Sequence, residues 1–200
     1  MKLLISPASP FVRKARLLIR EAGLTDRVQE VEVSTTPLAT DTSVMAANPI
    51  GKIPALLRGD GPAIYDSRVI TRYLDALAGG KFYPEARIWE VLTLEATADG
   101  IMDAAVNLTY EGRFRTPEMQ SAAWMDAQWG KASRGVSAIN ERWMSHLSGP
   151  LDISHMAVAC ALSYLDLRHD ARGWRAGNDA LAAWHASFSE RASMVATKPG

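Results

Sequence analysis

The run Ser6-Pro7-Ala8-Ser9-Pro10-Phe11-Val12-Arg13-Lys14 follows a short apolar stretch, Leu3-Leu4-Ile5, and opens a helical pattern. Ser9 can cap the orphan N–H groups of that helix, and Pro10 suits its first position, where a missing N–H costs nothing. The hydroxyl then sits at the positive end of a helix and at the carboxyl end of a strand, a place suited to a small anion. Two further stretches are informative, Asn48-Pro49-Ile50-Gly51-Lys52-Ile53-Pro54 and Tyr65-Asp66-Ser67-Arg68-Val69-Ile70. By itself the first reads as a loop entering a strand with a proline at its start. In the second, Asp66 or Ser67 can cap the following helix, or the helix start can hold a ligand carboxylate. His146, His155, His169 and His185 show no metal-ligand spacing, so no metal is expected.

These residues need elements to position them. Residues 2–6 read as a buried strand, and Val12, Ala15, Ile19 and Ala22 recur at helical spacing before Gly23 ends the helix. Glu30-Val31-Glu32-Val33 alternates as a half-buried strand, and a short helix before Asn48 follows. Residues 53–57 and 63–65 read as two strands joined at Gly59-Asp60-Gly61, and Ile70, Leu74 and Leu77 mark the next helix. Strand–helix–strand needs a parallel pair and the hairpin adds antiparallel strands, so the sheet is mixed. After Ala78 no convincing strand appears, and four helical rhythms follow, on residues 91–108, 129–143, 153–164 and 181–188. The reading is an α/β domain over 1–79, a linker over 80–85 and an all-α helical domain over 86–200.

Bulk properties exclude several classes. The 200 residues carry 22 Lys and Arg against 22 Asp and Glu, so nothing points to nucleic acid or an anionic membrane. No apolar run approaches a membrane span, and the few apolar residues before Ser6 are too short for a signal peptide. A cytoplasmic protein is expected. Cys160 is the one cysteine, which excludes an intrachain disulfide, a Cys-x-x-Cys pair and a cysteine zinc site. It lies on an apolar helical face and reads as core.

In series, Ser-Pro-Phe-Val-Arg-Lys after the first strand, Asn-Pro-x-Gly-Lys-Ile-Pro-Ala-Leu before the third, and Asp-Ser-Arg-Val-Ile at the next helix resemble the glutathione S-transferase family. The stretches 98–105 and 157–166 are similar to bacterial members. The resemblance implies a thioredoxin-like N-terminal domain, a helical second domain and a homodimer. It also implies roles. Pro54 would be a cis-proline that exposes the Ile53 backbone to the cysteinyl part of glutathione. Asp66 and Ser67 would hold the γ-glutamyl end, Lys52 would approach the glycyl carboxylate, and Ser9 would occupy the thiol-activating position. A second-substrate wall between the domains would include Tyr110, Arg113 and Phe114, which end the first long helix, although a solvated helix end with an aromatic in the core reads equally well. Trp124, Trp129 and Trp143 read as core.

The magnitudes suit that role for Ser9. Lowering a thiol pKa of about 8.5 by about two units takes roughly 2.7 kcal/mol of preference for the thiolate. A hydroxyl hydrogen bond to a charged group supplies about 1.5–3 kcal/mol, and a helix N-terminus about 0.3–1 more. The alternative for Ser9 is a cap alone. With serine at this position, thiol-transferase and dehydroascorbate-reductase chemistry is not expected. One departure from the family concerns its Ser/Thr-x-x-Asp capping box, where Asp152-Ile153-Ser154-His155 stands here. Glu95, Asp99 and Asp103 form an acidic stripe expected to meet Arg68 and Arg72, or the glutathione amine, of a second subunit.

The resulting expectation is a cytoplasmic glutathione transferase acting in detoxification. It would take glutathione as cosubstrate, without a metal, and a hydrophobic electrophile or peroxide as second substrate. The rival is a catalytically weak or inactive glutathione-fold protein for binding or assembly.

Overall fold

Lys2–Ile5 forms β1, and Leu3, Leu4 and Ile5 are all buried, as an apolar run in the middle of a sheet requires. Helix α1, Pro10–Glu21, starts at Ser9, and Gly23 at φ +67° follows its end, with Leu24 N–H reaching back to the Ile19 carbonyl. The chain continues through β2 (Gln29–Glu32), α2 (Thr42–Ala47), β3 (Ala55–Leu57) and α3 (Ser67–Leu77). Strand order is β2-β1-β3, with β1 parallel to β2 and antiparallel to β3, so the sheet is mixed. Leu4 packs with Val44, Ala47 and Ala55 on one face. The computed structural model describes residues 1–199.

The expected second hairpin strand contracts to one bridge, Leu56 with Ile64. Pro62 cannot donate to a ladder, and its carbonyl is taken by Arg58 Nε at 3.0 Å, so pairing stops there. The stretch expected as a linker is tied down: Asp75 accepts the Lys81, Phe82 and Tyr83 N–H groups at 2.8, 2.8 and 3.1 Å. Tyr83 also meets Thr71 Oγ1 at 2.7 Å and lies under the Arg72 guanidinium.

The second compact unit, residues 86–190, contains α4 (Ile88–Phe114), α5 (Ala122–Arg142), α6 (Met144–Leu147), α7 (Ile153–His169) and α8 (Asp179–Ser189). Helix α4 packs against both α5 and α7, so its buried arc is broad. The chain from Arg191 onward, with α9 (Ala192–Ala196), belongs instead to the first unit. A single helical region over 86–200 is therefore interrupted at its end, because hydrogen bonds to α1 recruit that segment. Among the described residues, no helix is long and apolar enough to cross a membrane.

The α7 start shows how the departure in the capping box is absorbed. Asp152 Oδ1 accepts the Ser154 N–H, and the Asp152 N–H donates to His155 Nδ1 at 3.3 Å. The same Nδ1 lies 3.0 Å from Asp152 Oδ1, so the imidazole faces both the backbone N–H and the carboxylate of the cap where a carboxylate stands in the usual box. Asp152 is fully buried and further held by Ser154 Oγ, by His146 Nε2 at 3.0 Å and by Arg87 at 3.5 Å. Burial favours the neutral carboxyl, but the hydrogen bonds and charges of His155, Ser154 and His146 outweigh it and hold the group below the usual range. Burial also holds His146 below its ordinary value, against the pull of Asp152.

Both shifts act in one direction on stability. The Asp152 contribution is present above the ordinary carboxylate range and is lost as pH falls through its depressed value. Below about pH 6.5 the unfolded chain takes up a proton at residue 146 more readily than the folded one, so acid drains stability there too. His169, lowered chiefly by burial, adds to the same trend. The melting temperature is expected to fall between about pH 7 and pH 5, and His146→Gln to flatten that slope. Circular dichroism melts at each pH check it.

Candidate functional site

The three sequence motifs meet at one end of the small sheet. Ser9 lies in the turn after β1, half-buried, with its carbonyl accepting Arg13 N–H at 3.0 Å and its Oγ accepting Val12 N–H at 3.3 Å. Pairing of Leu4 with Ala55, extended by two residues, sets Ile53 beside Ser6. The Leu56–Ile64 bridge extends in the same way to set Asp66 beside Pro54. The β1–α1 turn, the entry to β3 and the start of α3 therefore converge.

Each participant has groups left over. The Ile53–Pro54 peptide is cis, and neither backbone polar group of Ile53 is used by the β1–β3 ladder, which ends at Ala55. Asn48 shapes the approach: its side chain accepts Ile50 N–H at 3.0 Å and donates to the Lys52 carbonyl at 2.8 Å. Gly51, at φ +69°, closes that turn onto the Asn48 carbonyl, and a Cβ there would meet Thr40 Cγ2 at 3.0 Å. The Lys52 side chain is exposed. Asp66 caps α3 by accepting Arg68 N–H at 3.0 Å, and Arg68 also pairs with it at 3.4 Å. Ser67 is 2% exposed, yet its hydroxyl has no hydrogen-bond partner among the described residues.

The Ser9 oxygen spends one lone pair on the cap, and among the described residues its hydrogen is donated to no one. Capping and donation to an anion are therefore compatible. Helix α1 carries no acidic residue in its first turn and has an uncharged cap, so its positive end is not neutralised by its own residues, whereas α3 has the Asp66 carboxylate at its cap.

In the second unit, Tyr110 and Phe114 lie one turn apart at the end of α4, with ring centroids 5.4 Å apart and Arg113 over the Phe114 face. Tyr110 is 38% exposed, and burial of the rest raises its phenol, with Arg113 opposing. The hydroxyl is thus protonated at neutral pH. Trp124 is exposed rather than core, flanked by Lys131. Cys160 is buried in α7.

Two readings change. Glu95 and Asp99 are 1% and 5% exposed, so the acidic stripe is not a face open to a second subunit, whereas Asp103 is exposed. The reason is the broad buried arc of α4 between two helices. The histidine spacing also hid a cluster: ligand atoms of His146, Asp152 and His155 lie within 4.8 Å of one another. By donor type the cluster could hold a metal ion. Its atoms are instead largely engaged in capping α7, Arg87 adds a positive charge beside Asp152, and among the described residues His155 Nε2 is a buried atom without a partner. The set reads as a helix cap.

Comparison with known proteins bears on both units of the chain. A family model described as "Glutathione S-transferase, N-terminal domain" matches residues 8–77, and one described as "Glutathione S-transferase, C-terminal domain" matches residues 122–187. A glutathione transferase family member from Pseudomonas fluorescens Pf-5, crystallised with bound glutathione, is 42% identical, with a TM-score of 0.97 over 100% of this chain and 98% of that one. The Pseudomonas fluorescens Pf-5 protein was also crystallised with bound S-(propanoic acid)-glutathione, at 41% identity and a TM-score of 0.92 over the full length of both chains. A glutathione S-transferase from Methylobacillus flagellatus KT with glutathione bound is 34% identical, with a TM-score of 0.84 over 100% of this chain and 99% of that one. The uncharacterized GST-like protein YibF of Escherichia coli K12 is 29% identical over 204 residues, which cover 100% of this chain and 98% of that protein. With both family models in register with the two units and identity above 40% along its whole length, the chain belongs to the glutathione S-transferase family.

Proposed function

We propose that the protein is a cytoplasmic, homodimeric glutathione transferase in which Ser9 stabilises the glutathione thiolate for attack on a hydrophobic electrophile or peroxide. The observation that carries the reading is the Ser9 hydroxyl, whose oxygen caps α1 while its hydrogen stays available to a thiolate at the positive helix end. Ile53 would pair through its backbone with the cysteinyl unit, and Pro54 would hold that backbone in place. Asp66 would receive the γ-glutamyl ammonium, Ser67 would donate to the γ-glutamyl carboxylate, and Lys52 would face the glycyl carboxylate. On ionisation the thiol proton leaves to solvent. The sulfur lone pair then forms a bond to the electrophilic carbon while the leaving group departs with its electron pair. Tyr110, Arg113 and Phe114 offer aromatic faces, a cation and a protonated phenol to the second substrate. The relatives with glutathione and with an S-alkylated glutathione bound support this substrate class.

Titration calorimetry with glutathione tests it. Binding at or below millimolar concentration is expected. Ser67→Ala should weaken it about tenfold, the loss of one charge-assisted hydrogen bond, while kcat changes little. Absence of binding at several millimolar overturns the assignment.

A further inference from the structure

We propose that residues 191–197 form a strap that sets the position of Ser9 by acting through Arg13, a positioning residue; this rests on the reading of Ser9 as thiolate donor. The strap is fastened to α1 at both ends. At the last residue of α1, Glu21 receives Arg191 through Nε at 2.9 Å and Nη2 at 2.8 Å, and also the Ser193 hydroxyl. Burial works against the Glu21 anion, but the hydrogen bonds from Arg191 and Ser193 outweigh it and keep its carboxyl below the usual range. The chain then runs back along α1. One turn into the helix, Arg13 Nη2 donates to the Met194 carbonyl at 3.0 Å and Nε to Thr197 Oγ1 at 3.4 Å. Thr197 Oγ1 in turn donates to the Ser193 carbonyl at 2.8 Å.

Arg13 and Ser9 are adjacent links of one ladder, since the Arg13 N–H donates to the Ser9 carbonyl. The two anchors stand eight residues apart, about 12 Å along the helix axis. A helix held at both ends cannot slide along its axis, and a planar guanidinium with two fixed acceptors tolerates little displacement. Arg13 and Thr197 are both buried, where a charged group costs desolvation and adds little net stability. Registration of the helix start explains such a group better than cohesion does. A shift of about 1 Å in a catalytic group can cost up to about 100-fold in rate.

The test uses the full chain and the thiol of bound glutathione, titrated by its ultraviolet thiolate absorbance, alongside steady-state kinetics with an aryl halide. Arg13→Met is expected to raise the bound-thiol pKa by about half a unit to one unit and to lower kcat at neutral pH about three- to tenfold. The KM for glutathione should stay within about twofold, because the substitution is expected to act on the Ser9 thiolate bond rather than on the proposed clamp of Ile53, Asp66 and Ser67. Arg13→Lys should recover part of the loss by donating to the Met194 carbonyl. Should Arg13→Met not fold, Thr197→Val, close in shape, carries the same expectation at smaller size. A lower melting temperature with an unmoved thiol pKa and unmoved kcat overturns the strap. Ser9→Ala, run in parallel, separates the two ideas. If it moves the thiol pKa and Arg13→Met does not, the strap alone falls. If neither moves it, the Ser9 reading and the strap fall together.

Discussion

Ser9→Ala is expected to lower turnover at neutral pH by roughly 8- to 25-fold while leaving glutathione affinity within a few-fold. The size follows from the bond removed. A hydroxyl donating to a charged sulfur contributes about 1.5–3 kcal/mol, which at 1.36 kcal/mol per unit moves the thiol about one to two pKa units toward its free value. At pH 7 a thiol moved from about 6.5–7.5 back to about 8.5 falls from roughly 24–76% thiolate to about 3%. The same substitution removes the cap at Val12 N–H, at about 1 kcal/mol of stability. The two losses are separable because melting reports the cap and the pH profile of kcat reports the thiol. Ser9→Thr, which keeps both hydroxyl functions, should retain most of each. Unchanged kcat in Ser9→Ala with a lowered melting temperature would leave Ser9 as a cap alone.

Asp152→Ala is expected to be more destabilising than Ser9→Ala or Ser67→Ala. The fully buried carboxylate caps α7 at Ser154 N–H and gathers His146, Ser154 Oγ and Arg87. Its removal leaves those donors facing an apolar methyl group. Removing one partner from a buried charged network costs about 3–5 kcal/mol. For a chain of this length that is a fall of roughly 6–20 °C in melting temperature. Asp152→Asn keeps an acceptor for the cap and should lose about half as much, by analogy with a neutral hydrogen bond replacing a charge-assisted one. Residual folded protein should keep any turnover of the wild type, since Asp152 contributes to the cap and to none of the proposed glutathione contacts. Differential scanning calorimetry with activity per folded molecule distinguishes the two effects.

The parts of the molecule legible from sequence are those governed by local chemistry. Ser9-Pro10 announces a helix start because capping and a fixed φ are properties of those two residues. Leu3-Leu4-Ile5 reads as a central strand, and the long helices follow from a rhythm of apolar residues set by the helix itself. What escaped depends on partners distant in sequence. Asp75 looks like one more polar residue near a helix end until the 81–83 backbone folds onto it. Glu95 and Asp99 look like a solvated stripe because burial of α4 on more than one side is a tertiary property. The short segment after Ser189 carries too few apolar residues to be told from a helix continuing the second domain, and the ties of Arg191 to Glu21 and Arg13 to Met194 bridge more than 160 positions. At the site, chain order revealed the three motifs, while their convergence needed the β1–β3 register. That the Ser9 hydrogen and the Ser67 hydroxyl have no partner among the described residues is a matter of three-dimensional hydrogen bonding.

Spectroscopic titration of the glutathione thiol on the wild-type protein addresses the central claim without relying on any second substrate. If Ser9 donates to the sulfur at the start of α1, the bound thiol titrates about one to two units below the value of about 8.5 for a free thiol, and Ser9→Ala returns it most of the way. A bound thiol that titrates at its free value, in wild type and variant alike, contradicts the account.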